Sequence, residues 1–423
     1  MAQGPEGTEL YVKVLIVDDS VVYRRLIRSI LSSMEDVIIV GEAGNGRDAL
    51  KMVEELSPEI IALDVEMPIM GGIETLEHLS KMENRPLVIM VSAYTRGGAE
   101  ITFRCLELGA IDFVAKPDGP CMAENLKTLE KELRRKVGLA QNKALLRRVT
   151  RNLPSGRPAS DLEHLCSPEG SLNRKSDQQV RNQQNRIQPD RASHEKGHHE
   201  DESSSDSRAE YSHETQSDHH HHKLLNWPHQ SFDVIAIAIS TGGPKALGDV
   251  IPLLPANLNL PVLIVQHMPE MFTGVLADSL SKKSRIAVAE ARDGETLLPG
   301  RVYIAQGGRQ MGLIPSKDGG STVRIRITDD PPENHCRPSA DYLFRDLAGI
   351  FGARVLAIIM TGMGSDGTRG LLALKLQGAR VLAQDMKSCV VYGMPGEALK
   401  AGVVDQVINL DLLARAITEA AGQ

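Results

Sequence analysis

From Val12 to about Lys136, short apolar runs alternate with stretches whose apolar residues recur at helical spacing. The runs VKVLIV, DVIIV, EIIALD, PLVIMVS and AIDFVA read as strands buried on both faces. Between the first two, Tyr23, Leu26, Ile27, Ile30 and Leu31 share one face of a 3.6-residue period, opposite Arg24, Arg25 and Arg28. That pattern predicts helices packed on a parallel sheet, an α/β domain over residues 11–137.

Past Val149 the pattern stops. Ser, Asp, Gln, Arg, Asn and His dominate until about Trp227, with too few apolar residues to offset the entropy of ordering. Residues 138–229 are therefore expected to hold the end of a helix and then a long disordered linker. Its His-rich pieces, HEKGHHEDESSS and HETQSDHHHHK, could bind a metal only adventitiously, having no fixed geometry. From Phe232 the alternation resumes, with strands expected at DVIAIAI, PVLIVQ, ARVLAIIM, ARVLAQ and DQVINL. The runs GRVYIA, GLIP and STVRIRIT, between Gly300 and Thr328, are separated by glycine turns and read as antiparallel strands. Residues 230–421 thus form a second α/β domain, a doubly wound, mostly parallel sheet carrying an antiparallel hairpin.

Composition narrows the possible partners. In 423 residues, 55 acidic side chains exceed 48 basic ones, which leaves no basic stripe for nucleic acid. No apolar run approaches the roughly 20 residues that span a bilayer, and MAQGPEGTEL lacks the order of a secretory signal. Five scattered cysteines without C-x-x-C spacing fit reduced thiols. A cytoplasmic protein, monomeric by default and without membrane insertion, is expected.

In the first domain, Asp18 and Asp19 follow the first strand, Asp64 ends the third, Ser92 the fourth and Lys116 the fifth. Carboxyl ends of parallel strands share one edge, where ligands bind. Crowded carboxylates call for a cation, and all-oxygen ligands suit Mg²⁺. Asp64 is then the phosphoacceptor, Asp18, Asp19 and Asp64 hold the metal, Lys116 neutralises charge, and Ser92 bonds the phosphate. Taken singly, the two aspartates would more often be helix caps and Lys116 a surface residue.

These residues stand in VDDS, LDVEMP, VSA and FVAKP, and over Tyr11–Lys136 the chain resembles the response-regulator receiver family. The resemblance implies a flavodoxin-like sheet of order 2-1-3-4-5, a histidine kinase as phosphodonor, and Phe113 as the aromatic switch residue.

In the second domain, Ser240 follows a strand and precedes a Gly-Gly turn. Alone it would more often cap the next helix. His267, however, ends the next strand, and Asp366 lies in the loop after a later one, so nucleophile, base and orienting acid can meet at one sheet edge. A rival reading uses Gly362, Gly364 and Gly367 as a dinucleotide-binding G-x-G-x-x-G, with Asp385 after the next strand. Asp366 opposes it, because a carboxylate would sit where the pyrophosphate belongs. A non-catalytic, target-binding α/β module is the other alternative.

The segments STGG, QHMPEMFT, DGETLLPGRVYIA, RPSADYLF, LAIIMTGMGSDG and SCVVYGMPGEA resemble the catalytic domain of chemotaxis protein-glutamate methylesterases, nearly end to end from Phe232 to Ile417. In NHCRPSAD the histidine sits one place early, with Cys336 beside Arg337. The resemblance implies Ser240, His267 and Asp366 as the triad, and the N–H groups of Thr241 and Met363 as oxyanion donors. It further implies methyl-accepting chemotaxis receptors as protein substrates, with γ-methyl glutamates hydrolysed and receptor glutamines open to deamidation. The receiver is expected to cover the ester site until it is phosphorylated.

Overall fold

The computed structural model describes residues 11–93, 96–117, 121–152, 224–225, 230–315 and 322–422. Most of the expected linker, with its His-rich tract, lies outside the described residues.

The N-terminal domain runs β1 (Val12–Val17), α1 (Val21–Ser32), β2 (Val37–Ala43), α2 (Gly46–Leu56), β3 (Ile60–Asp64), α3 (Gly72–Ser80), β4 (Leu87–Ala93), α4 (Arg96–Glu107), β5 (Asp112–Lys116) and α5 (Met122–Asn152). Its five strands pair in the order β2-β1-β3-β4-β5, all parallel. Val12, Val14 and Ile16 face one layer of helices and Leu15 and Val17 the other, all essentially buried, which is why the strand reads as one apolar run. On α1 the buried residues are Ile27, Ile30 and Leu31. The helix α5 continues well past residue 137 as one element of 31 residues.

The C-terminal domain runs β6 (Val234–Ile239), α6 (Gly243–Val250), β7 (Val262–Gln266), α7 (Glu270–Lys283), β8 (Ala287–Glu290), β9 (Arg301–Ile304), β10 (Gln310–Pro315), β11 (Val323–Thr328), α8 (Ala340–Ile350), β12 (Val355–Ile359), α9 (Thr368–Leu376), β13 (Arg380–Gln384), α10 (Met394–Lys400), β14 (Gln406–Ile408) and α11 (Leu410–Ala420). Seven strands form one parallel sheet in the order β14-β13-β12-β6-β7-β9-β8.

Two details differ from the sequence reading. The run GRVYIA is not part of the antiparallel insertion: β9 pairs in parallel with β7 and β8. The short edge strand β8, which is not among the expected runs, has Ala287 exposed and Val288 buried. Among the described residues, β10 and β11 alone form the antiparallel hairpin. The error has a physical origin, since glycine turns mark where chain direction changes without saying which strand is next in space.

In the first sheet the connections after the neighbouring strands β1 and β3 leave in opposite directions, and in the second those after β6 and β12 do the same. A crevice opens at such a point because the flanking loops leave to opposite faces. The two domains also touch. Phe113 of β5 stacks on Phe272 of α7 with ring centroids 4.2 Å apart, and Glu107 at the end of α4 accepts a 2.7 Å hydrogen bond from Ser279 and pairs with Lys283 at 2.5 Å. The Thr241 hydroxyl donates to Asp112 across 2.6 Å.

Candidate functional site

At the first switch point, Lys116 Nζ lies 2.8 Å from Asp18 Oδ2 and 2.7 Å from Asp64 Oδ2. Asp18, Asp64 and Ser92 are buried, while Asp19 is exposed. Neither aspartate caps α1; Ser20 does, accepting from the Tyr23 N–H. Burial pushes the Asp64 carboxyl up to about 6, against the bond and charge of Lys116, and the neighbouring Asp18 adds to the rise. One oxygen each from Asp18, Asp19 and Asp64 lies within 4.8 Å of the others. Asp18 Oδ2 is buried, with the Lys116 ion pair but no hydrogen bond of its own. An under-satisfied carboxylate oxygen inside an all-oxygen cluster fits a hard divalent cation such as Mg²⁺.

At the second switch point the register of β6 against β7 ends at Ile239 and Gln266, so Ser240 and His267 follow side by side. Ser240 does not cap α6, whose N-cap is Gly242 in the left-handed region. A side chain at Gly242 would run into Val390, which is why the turn requires glycine. The Ser240 N–H donates to the Thr361 carbonyl at 2.9 Å, and its own carbonyl accepts from the Gln266 side chain at 2.9 Å.

His267 Nε2 is 2.8 Å from Asp366 Oδ2. Asp366 is buried and, despite burial, is held at about 2 by His267, Ser339 and the Ala340 N–H. An ionised carboxylate only accepts, so Nε2 carries a proton, and in the neutral ring Nδ1 holds the lone pair. Burial alone would lower the imidazole pKa, but the bond to Asp366, then Cys336 and the charges of both, raise it to about 9. Ser240 and His267 are neighbours, yet among the described residues no hydrogen bond joins the hydroxyl to the ring. Such contacts are often long before substrate binds. The Thr241 and Met363 N–H groups donate no hydrogen bond among the described residues. Thr241 is buried and Met363 partly exposed.

With this geometry in hand, the relatives can be considered. The CheB methylesterase family model matches residues 235–417, and the response regulator receiver domain model matches residues 14–128. The chain is 39% identical to a protein-glutamate methylesterase/protein-glutamine glutaminase of Desulfotalea psychrophila, over 96% of this chain and 97% of that one. The chain belongs to the CheB methylesterase family. It is 37% identical to the Bacillus subtilis member of the same name, over 96% of this chain and 98% of that one. It is similar also to the crystal structure of the Thermotoga maritima CheB methylesterase catalytic domain, at 39% identity, covering 45% of this chain and 98% of that one, with a TM-score of 0.43. As a family member with a receiver domain, it is a response regulator and an ester hydrolase of chemotaxis.

Several residues of this CheB-type site escaped sequence reasoning. Asp366 also accepts from Asn334 Nδ2 at 3.1 Å and Ser339 Oγ at 2.7 Å, and from the first N–H groups of α8, Ala340 at 2.7 Å and Asp341 at 3.4 Å. RPSADYLF carried a visible signal, a serine ahead of an acidic first turn, but the pattern predicts only a cap. The Thr361 hydroxyl is a second hub, donating to the Thr241 carbonyl at 2.9 Å and accepting from Val390 and Val391 N–H at 3.1 and 3.0 Å. The G-x-G-x-x-G loop, for its part, carries Asp366 into the donors of α8, leaving a carboxylate where a pyrophosphate would need N–H groups.

Thr361→Val keeps the shape and removes the hub. Leaving these buried groups unpaired is expected to destabilise the protein by about 1–3 kcal/mol and to depress ester hydrolysis, measured by urea denaturation alongside methanol release. A wild-type midpoint with full activity would remove the bracing role.

Proposed function

We propose that this protein hydrolyses γ-methyl esters of glutamate on the cytoplasmic helices of methyl-accepting chemotaxis receptors by a Ser240–His267–Asp366 mechanism. The observation that carries the reading is the His267–Asp366 hydrogen bond of 2.8 Å at the strand end beside Ser240. With Nε2–H donated to Asp366, the Nδ1 lone pair takes the Ser240 proton as Oγ attacks the ester carbonyl. The Thr241 and Met363 N–H groups receive the oxyanion. Collapse expels methanol, which takes the proton back from Nδ1; water then gives a proton to Nδ1 as it attacks the acyl-enzyme, and collapse releases the glutamate carboxyl group while Nδ1 returns the proton to Ser240 Oγ. On receptor glutamine the same steps release ammonia, which makes the protein a glutaminase as well.

The receiver governs access in this reading. Asp112 accepts the hydroxyl of Thr241, the residue next to the nucleophile. Burial works against ionising Asp112, but the Lys136 charge and the Thr241 bond hold it below the usual carboxylate range. Phe113, lying under Lys136 at 4.7 Å and stacked on Phe272, is the switch residue at that contact. A histidine kinase supplies the phosphate to Asp64. Asp18, Asp19 and Asp64 would hold Mg²⁺, which when bound offsets charge on the phosphoryl oxygens. The Lys116 ammonium stays paired with the Asp64 side and Ser92 donates to the phosphate. Phosphorylation then loosens the β5 contact with Thr241 and Phe272 and opens the ester site. Among the described residues no helix is long and apolar enough to cross a membrane, and the reading has a cytoplasmic monomer meeting its receptors.

Ser240→Ala is expected to lower methanol release from methylated receptor membranes by orders of magnitude while Asp64 still accepts phosphate; retained turnover would sink the reading. The acid limb of kcat/KM should lie near pH 9, since the base is free only above its raised pKa of about 9. The stabilisation from the same pair runs the other way: it is full below the unfolded value of 6.5 and disappears as pH rises through about 9. A limb at 6.5 would show that the His267–Asp366 coupling is absent in solution. Finally, a small-molecule phosphodonor should speed methanol release by the whole chain toward the rate of a fragment starting at Phe232; equal rates in all three cases would remove the lid.

A further inference from the structure

On the side of the imidazole away from Asp366, Cys336 Sγ lies 3.8 Å from His267 Nδ1. Cys336 is half-buried, and the His267 side chain keeps 13% of its surface, so solutes can reach the pair. Ligand atoms of His267, Cys336 and Asp366 all fall within 4.8 Å of one another. We propose that His267 Nδ1 and Cys336 Sγ form a binding site for a thiophilic divalent cation, zinc above all, whose occupation shuts off ester hydrolysis.

The geometry suits that ion. Tetrahedral zinc, with bonds of about 2.0–2.1 Å to nitrogen and about 2.3 Å to sulfur, holds the two donors about 3.6 Å apart. The observed separation needs little adjustment. Asp366, accepting from Nε2 at 2.8 Å, supplies the carboxylate behind a metal-ligating imidazole: it leaves the lone pair on Nδ1 and fixes the ring plane. Asp366 is itself anchored by Ser339 and the start of α8, so the ring is held before any ion arrives. Water fills the remaining positions. On binding, the thiol proton and any proton on Nδ1 leave to solvent, two electron pairs are donated to the ion, and nothing is oxidised.

Two cation sites of opposite character then share one chain. The receiver cluster of Asp18, Asp19 and Asp64 offers only oxygen and favours hard ions, whereas nitrogen and sulfur at the ester site favour zinc or cobalt. The inhibitory effect rests on the proposed role of His267 as base: one lone pair cannot both take the Ser240 proton and bind a metal.

The test uses the full-length chain with excess Mg²⁺ and titrates it with Co²⁺. A thiolate-to-cobalt charge-transfer band is expected to saturate at one equivalent and to vanish in Cys336→Ser and in His267→Gln. One equivalent of Zn²⁺ should slow methanol release by the wild-type chain roughly tenfold or more, a chelator should restore it, and Cys336→Ser should keep its own metal-free rate when zinc is added. No thiolate band, or a band that survives Cys336→Ser, overturns the site. A Cys336-dependent band with unchanged methanol release overturns the inhibition. If the metal-free chain releases no methanol at all, the hydrolase reading fails, while the cobalt spectrum still decides the site.

Discussion

The proposed ester site depends on one buried carboxylate. Asp366 accepts from the His267 ring, the Asn334 amide, the Ser339 hydroxyl and two N–H groups at the start of α8. A bare carboxylate in this position would be heavily penalised by desolvation. Surrounded by donors it becomes a rigid joint instead, tying the loop after β12 to the start of α8 and to the end of β7. The imidazole inherits that rigidity. Its tautomer and orientation follow from the side of the ring that Asp366 occupies, and so does the direction in which the free lone pair points; its raised basicity comes from Asp366 together with Cys336.

The same architectural rule builds both sites. Each sheet is parallel, each has neighbouring strands whose connections leave in opposite directions, and each collects its polar side chains at the carboxyl edge beside such a point. What differs is the chemistry delivered there. The first edge gathers carboxylates around Lys116, where burial, opposed by the lysine and reinforced by Asp18, holds Asp64 well above the usual carboxylate range. The second gathers a hydroxyl, an imidazole and a carboxylate, where hydrogen-bond direction governs. Fold alone would not have separated a phosphate receiver from an ester hydrolase.

Between them runs a contact made from few residues. Phe113 and Phe272 supply an aromatic stack, the Glu107 pair with Lys283 sits partly exposed at the rim, and Asp112 reaches Thr241 beside Ser240. The exposed pair contributes little, as surface ion pairs do; the stacked rings and the buried Asp112–Thr241–Lys136 group carry more. Because β5 bears both Phe113 and Lys116, a change at the phosphate site has a single strand to travel along before it meets the ester site.

Much of this was legible in the residue order. Unbroken apolar runs such as VKVLIV and DVIAIAI marked buried parallel strands, and the polar residues ending them, Asp64, Lys116, Ser240 and His267, could be assigned to a common edge because parallel strands end together. Local rules served less well where space, not sequence, chose the neighbour: Arg301–Ile304 follows glycine turns as the hairpin strands do, yet packs in parallel beside β7. Only the folded chain brings Asn334 and Ser339 to Asp366, the Thr361 hydroxyl to Thr241, and Cys336 to the free nitrogen of His267. Those partners are far apart along the chain, and no periodicity encodes a hydrogen bond closed by packing. Sequence by itself determined which elements form and which side chains stand at their ends; tertiary structure decided who meets whom, because the distances between separate elements are set by how their apolar faces interlock.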